Sequence, residues 1–202
     1  MHDDRLIRRQ PEQARSRERV DSILAAAAEL IGEQGIEPPS MTDIAERAGM
    51  GVTALYRYFP NKQSILRGLA LEMLELNRSL LVTPLVESGV PLDELVRDSI
   101  TAYWHLHRDE PFRLRLRVAV HGDAELSALD LEDSRRNAQL LAGRLAELGG
   151  SDDVRDPAAL EREVFLIISL LDSLMLTAIQ LEPVDAEAMV DQFATMAVTH
   201  LR

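Results

Sequence analysis

The segment from Ser40 to Lys62, SMTDIAERAGMGVTALYRYFPNK, restricts the fold more than any other part of the sequence. Ser40 and Asp43 have the spacing of a capping box, so we expect a short helix to begin here. Gly49 stands where that helix should end, because a left-handed residue is least costly without a Cβ atom. A second short helix after this turn would complete a helix-turn-helix, the unit that places one helix in the major groove of DNA.

The second helix of this segment is predicted to run from Val52 to Phe59. Leu55 and Phe59 are four residues apart and should face inward, and Pro60 cannot continue the helix. The outward positions are polar and include no acidic residue: they are Thr53, Tyr56, Arg57 and Tyr58. Lys62, the single lysine of the chain, follows shortly afterwards. Such side chains suit phosphates and base edges, and a surface helix-turn-helix that binds no nucleic acid is the alternative.

These residues resemble the tetracycline-repressor (TetR) family. The motifs that carry the resemblance are Ile44-Ala45, Ala48-Gly49, Leu55-Tyr56, Tyr58-Phe59, Asn61-Lys62 and the earlier segment LAAAAELIGEQG. They cover about the first third of the chain. The resemblance implies an all-α protein, in which an N-terminal three-helix DNA-binding head precedes a C-terminal helical bundle for ligand binding and dimerisation.

By position, the resemblance also implies two sets of DNA-binding residues. Those similar to phosphate contacts are Ser40, Tyr58 and Lys62, and Thr42 belongs to the same predicted DNA-binding surface. The groove-facing set is Val52, Thr53, Tyr56 and Arg57. Two residues depart from the family pattern: Gly51 stands where a Ser or Thr cap is common, and Ala54 stands where a hydroxyl is common. A glycine at the cap costs only about a few tenths of a kcal/mol, so these departures affect base preference rather than the fold.

The net charge of −12 is at first sight unfavourable for DNA binding, but the acidity is unevenly distributed. Residues 1–62 carry nine Lys and Arg against ten Asp and Glu, whereas residues 63–202 carry thirteen against twenty-four. A phosphate-contacting surface needs positive charge only locally. We therefore predict an arm and DNA-binding head at residues 1–62, and a ligand-binding and dimerisation domain at residues 63–202.

The composition is that of an ordinary globular protein, with 46% hydrophobic and 28% charged residues. The chain has no cysteine, which excludes a disulfide framework. Its N-terminus is charged and has no signal-peptide pattern. The most apolar window, residues 164–181, is interrupted by Asp172 and four other polar residues, so a membrane span is not expected. We predict a cytoplasmic protein.

The N-terminal residues 1–15 have no apolar period and predict a mobile arm. Arg5, Arg8 and Arg9 could follow phosphates or enter a minor groove, and an ordinary solvated terminus is the alternative. A helix is predicted from Ser16 to Gln34, where Gly35 would end it. Its inward face has helical spacing and consists of Val20, Ile23, Leu24, Ala27 and Ile31.

Apolar spacing predicts further helices at residues 61–82, 92–107, 129–148, 157–182 and 185–201. The first would run from the head into the body, so tilting it would move the head. Thr83-Pro84 should end or kink it, and its inward face would be Ile65, Leu69, Met73, Leu76 and Leu80. Segment 112–120 alternates Arg with apolar residues as a strand does, but we predict a short helix because no partner strand is evident. Polar linkers are expected at 37–40, 88–91 and 151–157.

The window Val164 to Leu181 has 13 apolar residues among 18, on all sides of a helix. Such a helix must be covered all round, and a second copy of the chain would cover the side that its own body leaves open. A buried helix within a monomer is the alternative. The predicted dimer interface consists of Ile168, Leu171, Met175, Ile179, Met189, Phe193 and Met196.

Residues 85–180 are predicted to form a small-molecule pocket between helices. The candidate lining residues are Trp104, His107, Phe165 and Met175, and the candidate polar anchors are Arg117, His121 and Asn137. Ordinary core packing is the alternative for Trp104, Phe165 and Met175, and a surface ion pair is the alternative for Arg117. Metal binding by His105, His107, His121 and Asp123 is disfavoured, because His105 and His107 diverge on a helix and HExxH spacing is absent. No cofactor is expected.

The sequence thus predicts a homodimeric transcriptional regulator, most simply a repressor that a small molecule releases from a palindromic operator. The rival is a protein-interaction module whose helix-turn-helix serves only as a scaffold. An enzyme ranks third, because no glycine-rich phosphate loop or nucleophile motif is present. The predicted partners are therefore double-stranded DNA, a small-molecule effector and a second copy of the chain, with no membrane.

Overall fold

The structure, a computed structural model, describes residues 4–34, 39–87, 91–149 and 156–201. Each regular element within these ranges is a helix, which confirms the predicted all-α class. In chain order the elements are α1 (Asp4–Gln34), α2 (Met41–Arg47), α3 (Val52–Leu55), α4 (Lys62–Asn77), a π-helical turn (Arg78–Val82), α5 (Thr83–Glu87), α6 (Leu92–Asp109), α7 (Pro111–His121), α8 (Ala124–Gly149), α9 (Pro157–Ala178) and α10 (Pro183–Leu201).

The chain forms two compact units, residues 1–70 and residues 71–202. We call them the head and the body and describe each by itself. The predicted domain boundary after residue 62 falls near the start of α4, whereas the division between the compact units falls within that helix. The functional assignment of the two domains stays a prediction.

The head has a core to which α1, α2, α3 and the first part of α4 contribute apolar side chains. The buried residues are Ile23, Leu24, Ala27, Leu30, Ile31, Ile44, Ala45, Leu55, Phe59, Ile65 and Leu69. Arg47 joins α2 to α1, because its guanidinium contacts Glu29 at 3.1 Å and Glu33 at 2.7 Å. At Gly68 the packing is close: a Cβ atom there would lie 2.9 Å from Leu24 Cδ2.

Helix α1 begins at Asp4, not at Ser16, so the prediction of a mobile arm is wrong for residues 4–15. The stretch has no apolar period, but Arg, Gln, Glu and Ala have high helix propensities, and a helix can continue on propensity without an apolar face. The side chains of Arg5, Arg8 and Arg9 lie outside the described part of the chain. Gly35 and the linker at residues 37–38 also lie outside it.

Helix α3 is shorter than predicted, spanning Val52–Leu55. Hydrogen bonding nevertheless continues, since the N–H groups of Arg57 and Tyr58 donate to carbonyls three residues earlier, at 3.2 and 2.9 Å. The N–H of Phe59 donates to the Leu55 carbonyl at 3.0 Å. The segment therefore remains helical in path up to Pro60, with its last turn tightened. Leu55 and Phe59 are both buried, as predicted.

The predicted helix 61–82 is interrupted by the π-helical turn Arg78–Val82. Pro84, which cannot donate a hydrogen bond, follows this turn within α5. The buried face continues at four-residue spacing from Met73 through Asn77 to Leu81. Leu76 and Leu80, which were predicted to face inward, are therefore 37% and 45% exposed.

The body is a bundle in which α8 packs against α9 and α6 packs against α10. Its apolar core includes Val96, Ile100, Trp104, Ala138, Leu145, Val164, Leu174, Met175, Val190, Ala194 and Val198. Helix α7 confirms the predicted short helix between residues 112 and 120. Helix α8 begins at Ala124, before the predicted residue 129, because Asp123 Oδ1 accepts the N–H groups of Glu125 and Leu126 at 3.0 and 2.9 Å.

The last two helices are divided at Pro183, as predicted, although α9 ends at Ala178 and α10 begins at Pro183 itself. Asp156 caps α9 by accepting the N–H of Ala158 at 3.1 Å. The predicted linkers lie largely outside the described residues, at positions 88–90 and 151–155. Within the described ranges, no helix is both long and apolar enough to cross a membrane.

Candidate nucleic-acid interface and ligand cavity

Local hydrogen bonds build the helix-turn-helix of the head. Ser40 Oγ accepts the Asp43 N–H at 3.1 Å, and Asp43 Oδ2 accepts the Ser40 N–H at 3.0 Å, so the predicted capping box is confirmed. The hydrogen bonds from Ser40, together with the charge of Lys62, lower the pKa of the Asp43 carboxyl. Gly49 has a φ of 65°, which confirms the predicted left-handed turn.

Helix α3 and the turn after it present the predicted groove-facing residues. Thr53 and Arg57 are exposed, Tyr56 is 50% exposed, and Val52 is half-buried. No acidic residue occurs between positions 50 and 62. The surface therefore offers a guanidinium and two hydroxyl groups, with no nearby carboxylate within the segment to repel a phosphate.

The predicted phosphate contacts lie at the edges of this surface. Ser40 and Thr42 are exposed, and Tyr58 and Lys62 are half-buried. The Ser40 hydroxyl donates to Asp43 Oδ2 at 2.6 Å, so its proton is not available to a phosphate while the capping box is formed. Thr42, Tyr58 and Lys62 also carry side-chain donor groups at these edges.

A basic concave surface beside Tyr58 was not predicted. Arg15, Ser16, Glu18 and Arg19 of α1 line it together with Tyr58. Arg15 and Arg19 are four residues apart, so a helix places them on one face. The sequence does show many arginines between residues 5 and 19. Because the N-terminal arginines were interpreted as part of a mobile arm, the four-residue spacing of Arg15 and Arg19 was not considered.

The body contains a cavity of about 130 Å³ lined by α4, the π-helical turn and α6 to α10. Its wall is mainly apolar, with contributions from Leu81, Val96, Ile100, Leu141, Val164, Ile167, Ile168 and Leu171. Two of the predicted polar anchors, Arg117 and Asn137, line it. An apolar wall with a few polar groups is the usual composition of a small-molecule site.

The other five predicted pocket residues do not line this cavity, and their assignment to a ligand site stays a prediction. Trp104 and Met175 are 4% and 1% exposed in the core of the body, and Phe165 packs against that core. His107 is buried beside Tyr103, and His121 lies at the surface. A helix that is apolar on several sides does not reveal from sequence which side faces a cavity.

A buried ionic cluster borders the cavity, and sequence reasoning identified only its arginine. Arg117 Nη1 contacts Asp172 at 2.8 Å and Asp130 at 3.0 Å, and its Nη2 donates to the Tyr103 hydroxyl at 2.7 Å. The Tyr103 hydroxyl donates in turn to Asp172 at 2.8 Å. The signal for Asp172 was its position as the one charged residue in the most apolar window.

The environment of this cluster shifts its pKa values. Burial raises the pKa of Tyr103. Burial alone would lower the pKa of Arg117, but interactions with Tyr103 and the two aspartates raise it, so the guanidinium remains charged. Burial also raises the pKa of Asp172, against the opposing effects of Arg117 and the Tyr103 hydroxyl. Both oxygens of Asp172 accept hydrogen bonds, as a carboxylate requires.

The histidines considered for a metal site are separated in the structure. The His107 Nδ1 atom lies 2.9 Å from the Tyr103 carbonyl, and His121 Nδ1 lies 2.9 Å from the Arg117 carbonyl. His105 is exposed, and Asp123 caps α8. Among the residues with described side chains, no three histidines and carboxylates come together as a metal site.

The predicted dimer residues mostly face the interior of the body. Met175 is 1% exposed, and five others pack against the core: Ile168, Leu171, Ile179, Met189 and Phe193. Met196 is 59% exposed. One exposed stripe on each of α9 and α10 is uncharged, with charged residues such as Arg162, Glu187 and Asp191 exposed elsewhere on the two helices; the stripes consist of Leu166, Leu170, Ser173, Thr177, Ala188, Gln192, Met196 and Thr199. We call these residues the α9–α10 surface.

Comparison with known proteins agrees with this architecture. A sequence profile of bacterial regulatory proteins of the tetR family matches residues 23–69. A profile of the tetracyclin repressor-like C-terminal domain matches residues 90–202. No curated protein matches the chain.

Several solved structures share the fold. A TetR-family transcriptional regulator from Streptomyces coelicolor is 24% identical, with a TM-score of 0.70 over 92% of this chain and 97% of that chain. The fatty acid degradation regulator FadR from Bacillus halodurans is 19% identical, with a TM-score of 0.69 over 89% and 94%. SmeT, the repressor of the Stenotrophomonas maltophilia multidrug efflux pump SmeDEF, is 19% identical, with a TM-score of 0.66 over 90% and 87%.

A helix-turn-helix head and a separate helical body place the protein among the helix-turn-helix transcriptional regulators. The two profiles together match most of the chain, and the second alone matches more than half of it. The chain therefore belongs to the TetR family of bacterial regulatory proteins, as the resemblance of its first third implied.

Proposed function

We propose that the protein is a homodimeric repressor that binds a palindromic operator and is released from it by a small molecule. The observation that carries the proposal is the exposed, acid-free surface of α3 and its following turn, where Thr53, Tyr56 and Arg57 project from a rigidly capped helix-turn-helix. Arginine can pair with two acceptors of guanine in the major groove. Thr42, Tyr58 and Lys62 would hold phosphates on either side.

The α9–α10 surface supports a dimer. Within one chain it leaves Leu166, Leu170 and Met196 between 47% and 59% exposed, and its residues include no charge. The Thr177 and Thr199 hydroxyls donate to carbonyls four residues earlier, at 3.0 and 2.7 Å. These polar groups can therefore enter a dry interface without losing their partners. Two helices from each chain would form a four-helix interface about a two-fold axis.

The cavity in the body supports ligand control. A bound effector would shift the population toward a state in which the two heads no longer match the operator, provided that it prefers that state. SmeT is itself a repressor, and this protein shares its fold.

The experiment that tests the proposal is selection of bound fragments from the source genome by the purified full chain, at physiological salt. We expect enrichment of a two-fold symmetric motif, because a dimer reads two half-sites. Enrichment of no motif, while the protein remains folded and dimeric, would contradict a sequence-reading function.

A further inference from the structure

The cavity in the body has one polar wall that its own side chains leave incomplete. Asn77 and Asn137 line this wall and are 9% and 7% exposed. The Oδ1 atom of each is buried and has no hydrogen-bond partner. A buried acceptor without a donor is costly, so both atoms call for a donor from a molecule inside the cavity.

The orientation of the Asn137 amide is fixed by its neighbour. Its Nδ2 group donates to Asp133 Oδ2 at 2.8 Å, and the reverse orientation would place two oxygens together. Arg78 contacts the other oxygen of Asp133, so the carboxylate is held from both sides. The unpaired atom of Asn137 is therefore an oxygen, so Asn77 and Asn137 each present an acceptor to the cavity, while Arg117 Nε is a buried donor that also has no partner.

Charge reinforces this preference. Three carboxylates line the cavity, those of Asp130, Asp133 and Asp172, together with the guanidinium of Arg117. Arg78 adds a second positive charge through its contact with Asp133. The charged groups thus leave one negative charge in excess around the cavity. A cation would be favoured at this wall, and an anion would be repelled.

We propose that the effector is a small organic cation, with an apolar group and an N–H donor that satisfies Asn77 Oδ1 and Asn137 Oδ1. Its apolar group would lie against Leu81, Ile100 and Ile168. This inference rests on the proposed function for its regulatory meaning, but the ligand preference can be measured without DNA. The cavity of about 130 Å³ is comparable to one that holds a benzene molecule, so monocyclic probes are appropriate.

The test is calorimetric titration of the full chain with four probes of similar size: benzylamine, benzyl alcohol, toluene and benzoate. We expect benzylamine to bind most tightly and benzoate most weakly, with on the order of a tenfold preference for benzylamine over toluene. Benzyl alcohol should be intermediate, because it donates a hydrogen bond without a charge. Equal binding of benzylamine and toluene, tighter binding of benzoate, or binding of no probe at millimolar concentration would overturn the inference.

Substitution of Asn77 assigns the preference to this wall. Asn77→Leu removes the unpaired oxygen with little change in volume, so it should weaken benzylamine binding about tenfold and leave toluene binding unchanged or stronger. Ser134→Ala is the matched control, since Ser134 lines the same cavity and has no unpaired buried atom. The ratio of the benzylamine affinity to the toluene affinity is unaffected by a general loss of folded protein. Asn137→Leu is an independent second variant with the same expected result.

Measurement of DNA affinity on the same samples separates this inference from the proposed function. If benzylamine binds preferentially but leaves DNA affinity unchanged, the ligand chemistry stands and the proposed regulation fails. If a symmetric motif is selected but benzylamine is not preferred, the regulator stands and the ligand class assigned here is wrong.

Discussion

At the scale of single residues, the roles of Arg57 and Lys62 are distinguishable because they would contact different parts of DNA. Arg57 is exposed on the turn after α3, and Lys62 is half-buried at the start of α4. A side chain that reads a base edge should affect specific binding, whereas a phosphate contact should affect all sequences.

We expect Arg57→Ala to cost about 1–3 kcal/mol in binding to the selected operator, with little loss on unrelated DNA. Lys62→Ala should weaken binding to the operator and to unrelated DNA alike. It should also reduce the magnitude of the slope of log K against log salt by about one unit. Fluorescence anisotropy at several salt concentrations measures both effects. Arg136→Ala in the body serves as a control. An equal loss on operator and unrelated DNA would remove Arg57 from base reading.

His107 gives the body a specific acid sensitivity. Burial lowers its pKa from 6.5 to about 4, and the positive charges of Arg117 and Arg113 add to this effect. The unfolded chain binds a proton at His107 below about pH 6.5, and the folded chain does so only near pH 4. The unfolded state therefore gains protons first, and stability falls as the pH decreases through this range.

His107→Gln should remove this sensitivity. A pKa shift of about 2.5 units corresponds to about 3 kcal/mol, so between pH 7 and pH 4.5 the natural protein should lose about 2–3 kcal/mol more than the variant does. Urea unfolding at the two pH values measures the difference. His105→Gln on the exposed side of α6 is the control and should resemble the natural protein. Parallel losses in all three proteins would show that His107 is not the acid-sensitive group.

At the scale of elements, two glycines in the helix-turn-helix should respond oppositely to an added side chain. Gly49 has φ of 65° and Gly51 has φ of −72°, and a Cβ atom at either position meets nothing within 4 Å. Gly49→Ala should therefore destabilise the head by about 1–2 kcal/mol through backbone strain alone. Gly51→Ser should stabilise it by about a few tenths of a kcal/mol, because Gly51 caps α3 without a side-chain hydrogen bond.

Thermal unfolding of the two variants measures this contrast. The variants differ mainly in backbone conformation at the substituted residue, so each serves as a control for the other. Equal destabilisation by both substitutions would show that the left-handed turn does not set the cost at Gly49.

The elements of this fold were predictable where the signal is local. The Ser40–Asp43 capping box, the turn at Gly49 and the buried pair Leu55 and Phe59 all follow from spacing along the chain. The shift of the buried face past Met73 did not, because the apolar pattern favoured Leu76 and Leu80 over the polar Asn77, which is buried in the structure. In α9, apolar residues on every side left the orientation of the helix open, and all but Met196 of the predicted dimer residues pack against the core of the body.

Of the two candidate sites, the one built from a local motif was predictable, and the one built by tertiary packing was not. The groove-facing residues of the head were named from a local motif and lie together on an exposed surface. The cavity instead combines α4, the π-helical turn and α6 to α10, and Arg117 and Asn137 are the predicted pocket residues that line it. Tyr103, Asp130 and Asp172 come together only through tertiary packing, which a pattern along one helix cannot reveal.

At the scale of the whole molecule, the α9–α10 surface should determine the oligomeric state. Leu170→Glu introduces a charge into this surface and should convert the proposed dimer to a monomer, because a buried charge without a partner is costly. Leu140→Glu is the matched control, since Leu140 on α8 is 46% exposed and Leu170 is 47% exposed. Sedimentation velocity distinguishes the two outcomes. Retention of the dimer in Leu170→Glu would place the interface elsewhere.

The most direct measurement of the central claim compares two duplexes: the symmetric operator obtained by selection, and the same duplex with one half-site scrambled. If a homodimer reads both half-sites, scrambling one should reduce the affinity of the full chain by a factor of about 100 or more, because several base pairs are lost at about 1–3 kcal/mol each. The Leu170→Glu variant should bind the intact operator little better than the scrambled one. Equal affinity of the natural protein for both duplexes would contradict recognition of a two-fold operator by a dimer.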